Sequence, residues 1–62
     1  MTVQHFLFEQ PENVQYFVIG AAQAEGGSEM ALKEIKRAFG DKYSDEEIYK
    51  LYCEALFVTA RG

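Results

Sequence analysis

Apolar and polar residues follow a helical period most clearly in the last third of the chain, from Ser44 to Val58. At about 100° per residue, the apolar side chains of this segment cover an arc of roughly 260° around a helix. The narrow polar strip that is left consists of Lys50, Glu54, Glu47 and Arg61. Because an ordinary surface helix buries one stripe only, the pattern predicts a helix that is covered on two sides.

The start of this helix has its own signal. Ser44 and Glu47 have the Ser-x-x-Glu spacing of a capping box, in which each side chain accepts a hydrogen bond from a backbone N–H that the first turn leaves unpaired. Asp45 and Glu46 add negative charge at the positive end of the helix dipole. These features predict a helix at about residues 45–59.

The wide apolar arc of this helix divides into two sets of side chains. The set that we expect to face its own chain consists of Ile48, Leu51, Tyr52 and Ala55. The set that we expect to face a partner chain has the spacing i, i+4, i+7, i+8 and consists of Tyr49, Cys53, Leu56 and Phe57. Tyrosine and phenylalanine are enriched in the centres of protein interfaces, so the second set is the predicted interface.

A second helix is predicted at about residues 29–39. Ser28 would be its N-cap, and Gly40 would end it. The basic residues of this segment fall together on its polar face and are Lys33, Lys36 and Arg37. A short link then leads to the capping box, which favours packing of the two helices against each other.

The first part of the chain supports two interpretations. In the preferred one, Pro11 lies in the first turn of a helix at about residues 11–25, which stops at Gly26-Gly27. Gly20 weakens this helix and would be explained by close approach of another helix. In the alternative, residues 3–19 form a β-hairpin around a turn at Pro11.

The predicted fold is therefore a single small all-α domain over residues 1–62, with three helices, a short extended arm at residues 1–10 and a homodimeric assembly. A short strand or a helical turn is the open alternative for the first eight residues of that arm. The alternative is an α+β fold in which a hairpin at residues 3–19 precedes two helices. A chain of 62 residues buries only about 60% of its unfolded surface, yet 48% of its residues are hydrophobic. Self-association would remove part of this excess from water.

Charge is distributed unevenly along the chain. The net charge is −4, and residues 1–32 contain no Lys or Arg. This is a poor footprint for nucleic acid, which binds clustered basic residues. The segment of two helices and a tight link does have helix-turn-helix order, so a small nucleic-acid-binding regulator is the alternative function, with Lys33, Lys36 and Arg37 as contacts. The acidic residues in the first turn of the would-be recognition helix disfavour this nucleic-acid-binding alternative.

Catalytic and metal chemistry find little support in the sequence. His5 and Cys53 are the only soft ligands, too few for a structural zinc site, so we expect no metal and no cofactor. We expect His5 to be a partly buried aromatic. The carboxylates have no evident catalytic partners, which predicts no enzyme activity. A single cysteine suits a reducing, cytoplasmic setting, and no apolar run is long enough to span a membrane.

In size, acidity and helical composition the chain resembles the small accessory proteins encoded in the early regions of temperate phages. The residues that contribute to the resemblance are the Ser44-to-Glu47 cap and the aromatic helix after it. The resemblance implies a regulator in a bacterium that acts by binding a host or phage protein. We therefore expect a non-enzymatic interaction protein whose acidic first half or aromatic surface engages another protein.

Overall fold

The computed structural model describes residues 6–61, with side chains for residues 6–60. Within this range the chain forms a single 3-10 turn at Phe6–Glu9 and three α-helices: α1 (Glu12–Gln23), α2 (Gly27–Phe39) and α3 (Asp45–Arg61). This part of the chain contains no strand, which confirms the all-α prediction. The hairpin alternative is wrong where residues 6–19 are concerned, because the proposed second strand lies in α1.

Helix α1 begins one residue later and ends two residues earlier than predicted, and Pro11 occupies its N-cap position instead of its first turn. The Pro11 carbonyl accepts hydrogen bonds from Val14 N–H at 3.0 Å and Gln15 N–H at 3.1 Å. After Gln23, Ala24 adopts an extended conformation with φ −69° and ψ 150°. The chain unwinds here because it must turn back through Gly26 and Gly27, whose φ values are 130° and 80°. Glycine adopts such values without the steric cost that a side chain adds.

The predicted N-cap of α2 at Ser28 is wrong. The helix begins at Gly27, and Gly26 occupies the N-cap position without a side-chain hydrogen bond. The two glycines let the chain enter the helix before it reaches Ser28, whose side chain is left exposed. The predicted end is confirmed: Gly40 N–H donates to the Lys36 carbonyl at 2.7 Å, and α2 stops at Phe39.

The capping box of α3 is confirmed in both directions. Ser44 N–H donates to Glu47 Oε1 at 2.9 Å, and Glu47 N–H donates to Ser44 Oγ at 3.2 Å. Two backbone donors of the first turn are thereby satisfied at an exposed helix end. The box fixes the point at which the link from α2 becomes α3.

Replacing Ser44 tests this cap directly. Ser44→Ala should lower the free energy of unfolding by about 0.5–2 kcal/mol, because one backbone N–H loses its acceptor. Ser28→Ala is the matched control, since Ser28 caps nothing, and its effect should stay within about 0.5 kcal/mol. Urea unfolding followed by circular dichroism measures both. Equal effects for the two serines would mean that the Ser44 cap does not contribute.

The core lies where the three helices and the N-terminal turn meet. Its buried members are Leu7, Val14, Val18, Ala31, Ile35, Ile48, Leu51, Tyr52 and Ala55. All four α3 residues that were predicted to face their own chain are among them. The prediction that the inner set of α3 faces its own chain is therefore confirmed.

The N-terminal turn covers a part of α3 that the sequence predicted to be exposed. Leu7 is fully buried, and its N–H donates to the Glu54 carboxylate at 2.7 Å. Lys50 Nζ lies 5.2 Å from the centroid of the Phe6 ring, within reach of a cation–π interaction. The predicted polar strip of α3 is thus partly covered, and residues 6–9 of the predicted extended arm are helical and docked.

Polar contacts tie this turn to the rest of the domain. The Tyr43 hydroxyl donates to Gln10 Oε1 at 2.7 Å, and the Gln15 side-chain amide donates to the Gln10 carbonyl at 2.6 Å. The Phe6 and Tyr43 rings pack edge to face with centroids 6.3 Å apart. The N-terminal turn therefore contacts α3 and the link before it. Residues 1–5, including His5, lie outside the described residues.

Candidate protein-interaction surfaces

The outer face of α3, formed by Tyr49, Cys53, Leu56 and Phe57, is the first candidate surface. Tyr49 is 59% exposed, Phe57 53% and Leu56 39%. Cys53 is exposed and has a free thiol. The inner set of the same helix is buried, so the structure places all four predicted interface residues together on an exposed face of α3.

This outer α3 face is uncharged along its centre. Hydrogen bonding to the Cys53 side chain, followed by the charge that its thiolate would carry, raises the pKa of Tyr49 above the ordinary value of 10.0. The phenol is therefore neutral at physiological pH. Neutral aromatic and aliphatic side chains are the composition that well-packed interface centres share.

Charged residues lie at the α2 side of this face. Lys36 Nζ and Asp45 Oδ1 are 3.2 Å apart, with side chains 63% and 78% exposed. A pair this exposed contributes about 0–1 kcal/mol, because water and salt screen it. Together with Leu32, Ile48 and Tyr49 the pair lines a shallow depression of about 240 Å³ between α2 and α3. Polar groups of this kind are typical of an interface rim.

The basic residues of α2 do not form a continuous positive surface with α3. Lys33, Lys36 and Arg37 are all exposed. Lys36 is paired with Asp45, and two further acids, Glu46 and Glu47, follow in the first turn of α3. No contact or cavity in the described residues favours nucleic acid at this position.

A groove between α1 and α2 is the second candidate surface, and it was not predicted from the sequence. Its volume is about 520 Å³. The residues that line this α1–α2 groove are Tyr16, Phe17, Gly20, Ala21, Ala24, Glu25, Gly27, Met30, Ala31 and Glu34. Most of them are apolar or small, and the charged members are both acids.

Large apolar side chains form the walls of the α1–α2 groove. Tyr16 is 71% exposed, Met30 51% and Phe17 38%. The Phe17 ring packs edge to face on Phe39, with centroids 5.1 Å apart and planes at 84°, which holds the wall in place from the α2 side. The groove is therefore a shaped apolar surface in contact with solvent.

Gly20 lies in the groove and is not explained by packing inside the chain. Apart from its own helix backbone and its chain neighbours, a Cβ built there would have no heavy atom within 4 Å. The predicted close approach of another helix at Gly20 is therefore wrong within this chain. A glycine inside a helix still costs about 0.5–1 kcal/mol relative to alanine.

A stability measurement tests this description of Gly20. Gly20→Ala should raise the free energy of unfolding by about 0.4–1 kcal/mol, because the new methyl group fits and the unfolded chain loses freedom. Gly26→Ala is the contrasting variant, since φ is 130° there and a Cβ would lie 3.2 Å from Met30 Cβ. It should destabilise the protein. A loss of stability in Gly20→Ala would mean that the site is closely packed.

The part of the chain that the structure describes offers neither a metal-binding cluster nor a membrane-spanning helix. Over residues 6–61, His, Cys, Asp and Glu side chains form no group of three that could hold a metal ion. In the same range, no helix has the length and apolar character that crossing a membrane requires.

The groove escaped prediction although a signal for it was present. Tyr16, Gly20 and Ala24 recur every four residues and form one row along α1, beside the row that contains the buried Val14 and Val18. A large exposed aromatic in line with two small residues indicates a hollow on a helix surface.

Comparison with protein-family models, curated proteins and solved structures found no match for the chain, so the resemblance to phage accessory proteins stays a prediction.

Proposed function

We propose that this protein is a non-enzymatic interaction protein that associates with a second copy of itself through the outer α3 face. The observation that carries the proposal is the exposure of Tyr49, Leu56 and Phe57 on one side of a single helix. Tyr and Phe side chains each bury about 150–250 Å² in cores and interfaces and dominate their energetics. A small domain that leaves them in water gains from pairing them.

An antiparallel pair of α3 helices fits the spacing of these residues. Tyr49 and Phe57 lie four residues on either side of Cys53. A two-fold axis at Cys53 would place Tyr49 of one copy opposite Phe57 of the other, and each Cys53 next to its equivalent. The two helix dipoles would also point in opposite directions, which is the favourable arrangement. Such a contact is isologous and closes as a dimer.

The proposed setting is the cytoplasm of a bacterium, where the protein would act as a phage or bacterial accessory regulator by binding a further protein. An exposed thiol supports this setting, because cysteines stay reduced in the cytoplasm. The unpaired α1–α2 groove leaves a second surface for that partner while the outer α3 face is occupied.

Cysteine cross-linking tests the α3 pairing. A disulfide forms only when the two Cα atoms approach within about 4.4–6.8 Å, so mild oxidation at low protein concentration should trap a covalent dimer through Cys53. The matched control is the double variant Cys53→Ser with Ser28→Cys, which carries one exposed thiol on α2 instead. It should cross-link far more slowly. Equal rates for the two proteins would contradict the proposed pairing.

A further inference from the structure

We infer that the α1–α2 groove binds an amphipathic helix of another protein, one that presents large apolar side chains together with Lys or Arg. The inference rests on the proposed function only in its broad form, that the protein works by contact. It does not require the outer α3 face to pair, because the two surfaces share no lining residue.

The shape of the groove suits the apolar side chains of a helix. Its volume of about 520 Å³ falls in the range of pockets that enclose ligands. Gly20 leaves the floor open, because apart from its chain neighbours and its own helix backbone no heavy atom lies within 4 Å of the missing Cβ. Phe17 and Met30 stand on either side and are 38% and 51% exposed. An incoming side chain would contact both walls and fill the space above Gly20.

The charges around the groove select a basic partner. Glu25 and Glu34 line it, and its lining contains no Lys or Arg. The basic residues nearest along α2, Lys33 and Arg37, do not line it. A partner with acids beside its apolar anchors would bring like charges together, which costs binding free energy and gives specificity against such partners. Lys or Arg at the same positions would meet the two carboxylates.

A helix fits better than an extended peptide. Pairing of a peptide with a sheet edge needs an exposed strand, and residues 6–61 contain none. An amphipathic helix instead lays its anchors at i, i+3 or i+4 and i+7 into a groove between two helices. Gly20 and Ala24 are small, so they permit the short interaxial distance of about 8–10 Å that packed helices adopt. The ligand would then be a fourth helix on this domain.

A pair of designed peptides tests the inference. Both are about 15–20 residues long with leucine or phenylalanine anchors on one face, and they differ only in carrying Lys or Glu on the other. The Lys peptide should bind, and raising the salt concentration should weaken it. Amide shifts in nuclear magnetic resonance should be centred on Phe17, Gly20 and Met30. Equal binding of the Glu peptide, shifts centred on α3, or no binding of either peptide would overturn the inference.

Gly20→Leu is the matching variant of the protein. The open space at this position should let the leucine fold into the groove and occupy the site of an anchor, so affinity for the Lys peptide should fall by about tenfold or more. Circular dichroism confirms that the variant is folded. Gly20→Ala, which adds one methyl group, serves as a second variant and should reduce affinity less. Unchanged affinity in a folded Gly20→Leu protein would contradict the inference.

The same samples separate this inference from the proposed dimer. Phe57→Ala should leave the affinity for the Lys peptide unchanged, while Gly20→Leu should leave self-association unchanged. If Gly20→Leu abolishes self-association instead, the groove is occupied by a second copy and the inference is wrong. Loss of peptide binding with an intact dimer would refute the groove alone.

Discussion

Leu7→Ala should remove a large share of the free energy of unfolding of this protein. Leu7 belongs to the N-terminal turn and is fully buried in the core. Replacing such a leucine by alanine costs about 2–5 kcal/mol of the free energy of unfolding. At about 0.05–0.15 kcal/mol per residue, a 62-residue domain has only about 3–9 kcal/mol in total. Urea unfolding followed by far-ultraviolet circular dichroism measures the loss.

The control for this substitution lies in the same turn. Glu9 is exposed, so Glu9→Ala should change the free energy of unfolding by no more than about 0.5 kcal/mol. If Leu7→Ala is as stable as Glu9→Ala, the N-terminal turn is not docked on α3. The Leu7 N–H to Glu54 hydrogen bond would then not form in solution.

The double variant Tyr49→Ala with Phe57→Ala should give a folded monomer at concentrations where the natural chain is a dimer. Interface anchors of this type contribute about 2 kcal/mol or more each, and a two-fold interface contains every substitution twice. Phe57→Ala alone should therefore weaken the dimer by about 4 kcal/mol, or roughly a thousandfold in dissociation constant. Sedimentation equilibrium measures the change, and circular dichroism checks the fold.

Tyr16→Ala is the matched aromatic control for this prediction. Tyr16 is 71% exposed but lies on α1, away from the outer α3 face. Its removal should leave the dissociation constant of the dimer within about twofold, since surface substitutions outside an interface have small effects. A dimer weakened equally by Tyr16→Ala would place the interface on the α1–α2 groove.

Helix α3 could be predicted almost completely because its signals are local. The capping box needs only Ser44 and Glu47 at the right spacing, and both hydrogen bonds form as expected. The division of its apolar arc needed only the helical period. The inner set is buried, and the outer set is exposed on the described chain. Whether a second copy covers that outer set is a property of the assembly.

The ends of the other elements depended on tertiary structure. The segment around Leu7 is too short to show a period, so its 3-10 turn and its position on α3 could not be read from the pattern. That position covers Glu54, which the isolated helix pattern assigned to solvent. Ser28 has the chemistry of an N-cap, but the two glycines before it start α2 earlier.

The α1–α2 groove was missed for a related reason. A hydrophobic pattern assigns Phe17 to a buried face without saying how closely two helices approach. In the folded domain α1 and α2 leave the row of Tyr16, Gly20 and Ala24 unfilled. The hollow depends on the angle and distance between two helices, and neither quantity is encoded in the period of one of them.

Sedimentation velocity over a dilution series shows directly whether the outer α3 face pairs two copies of the chain. We expect a reversible dimer that dissociates on dilution to a folded or partly folded monomer, and we expect the natural sequence and the Tyr16→Ala protein to behave alike. A monomer with native helix content at every concentration would contradict it, because Tyr49, Leu56 and Phe57 would then be stable in contact with water.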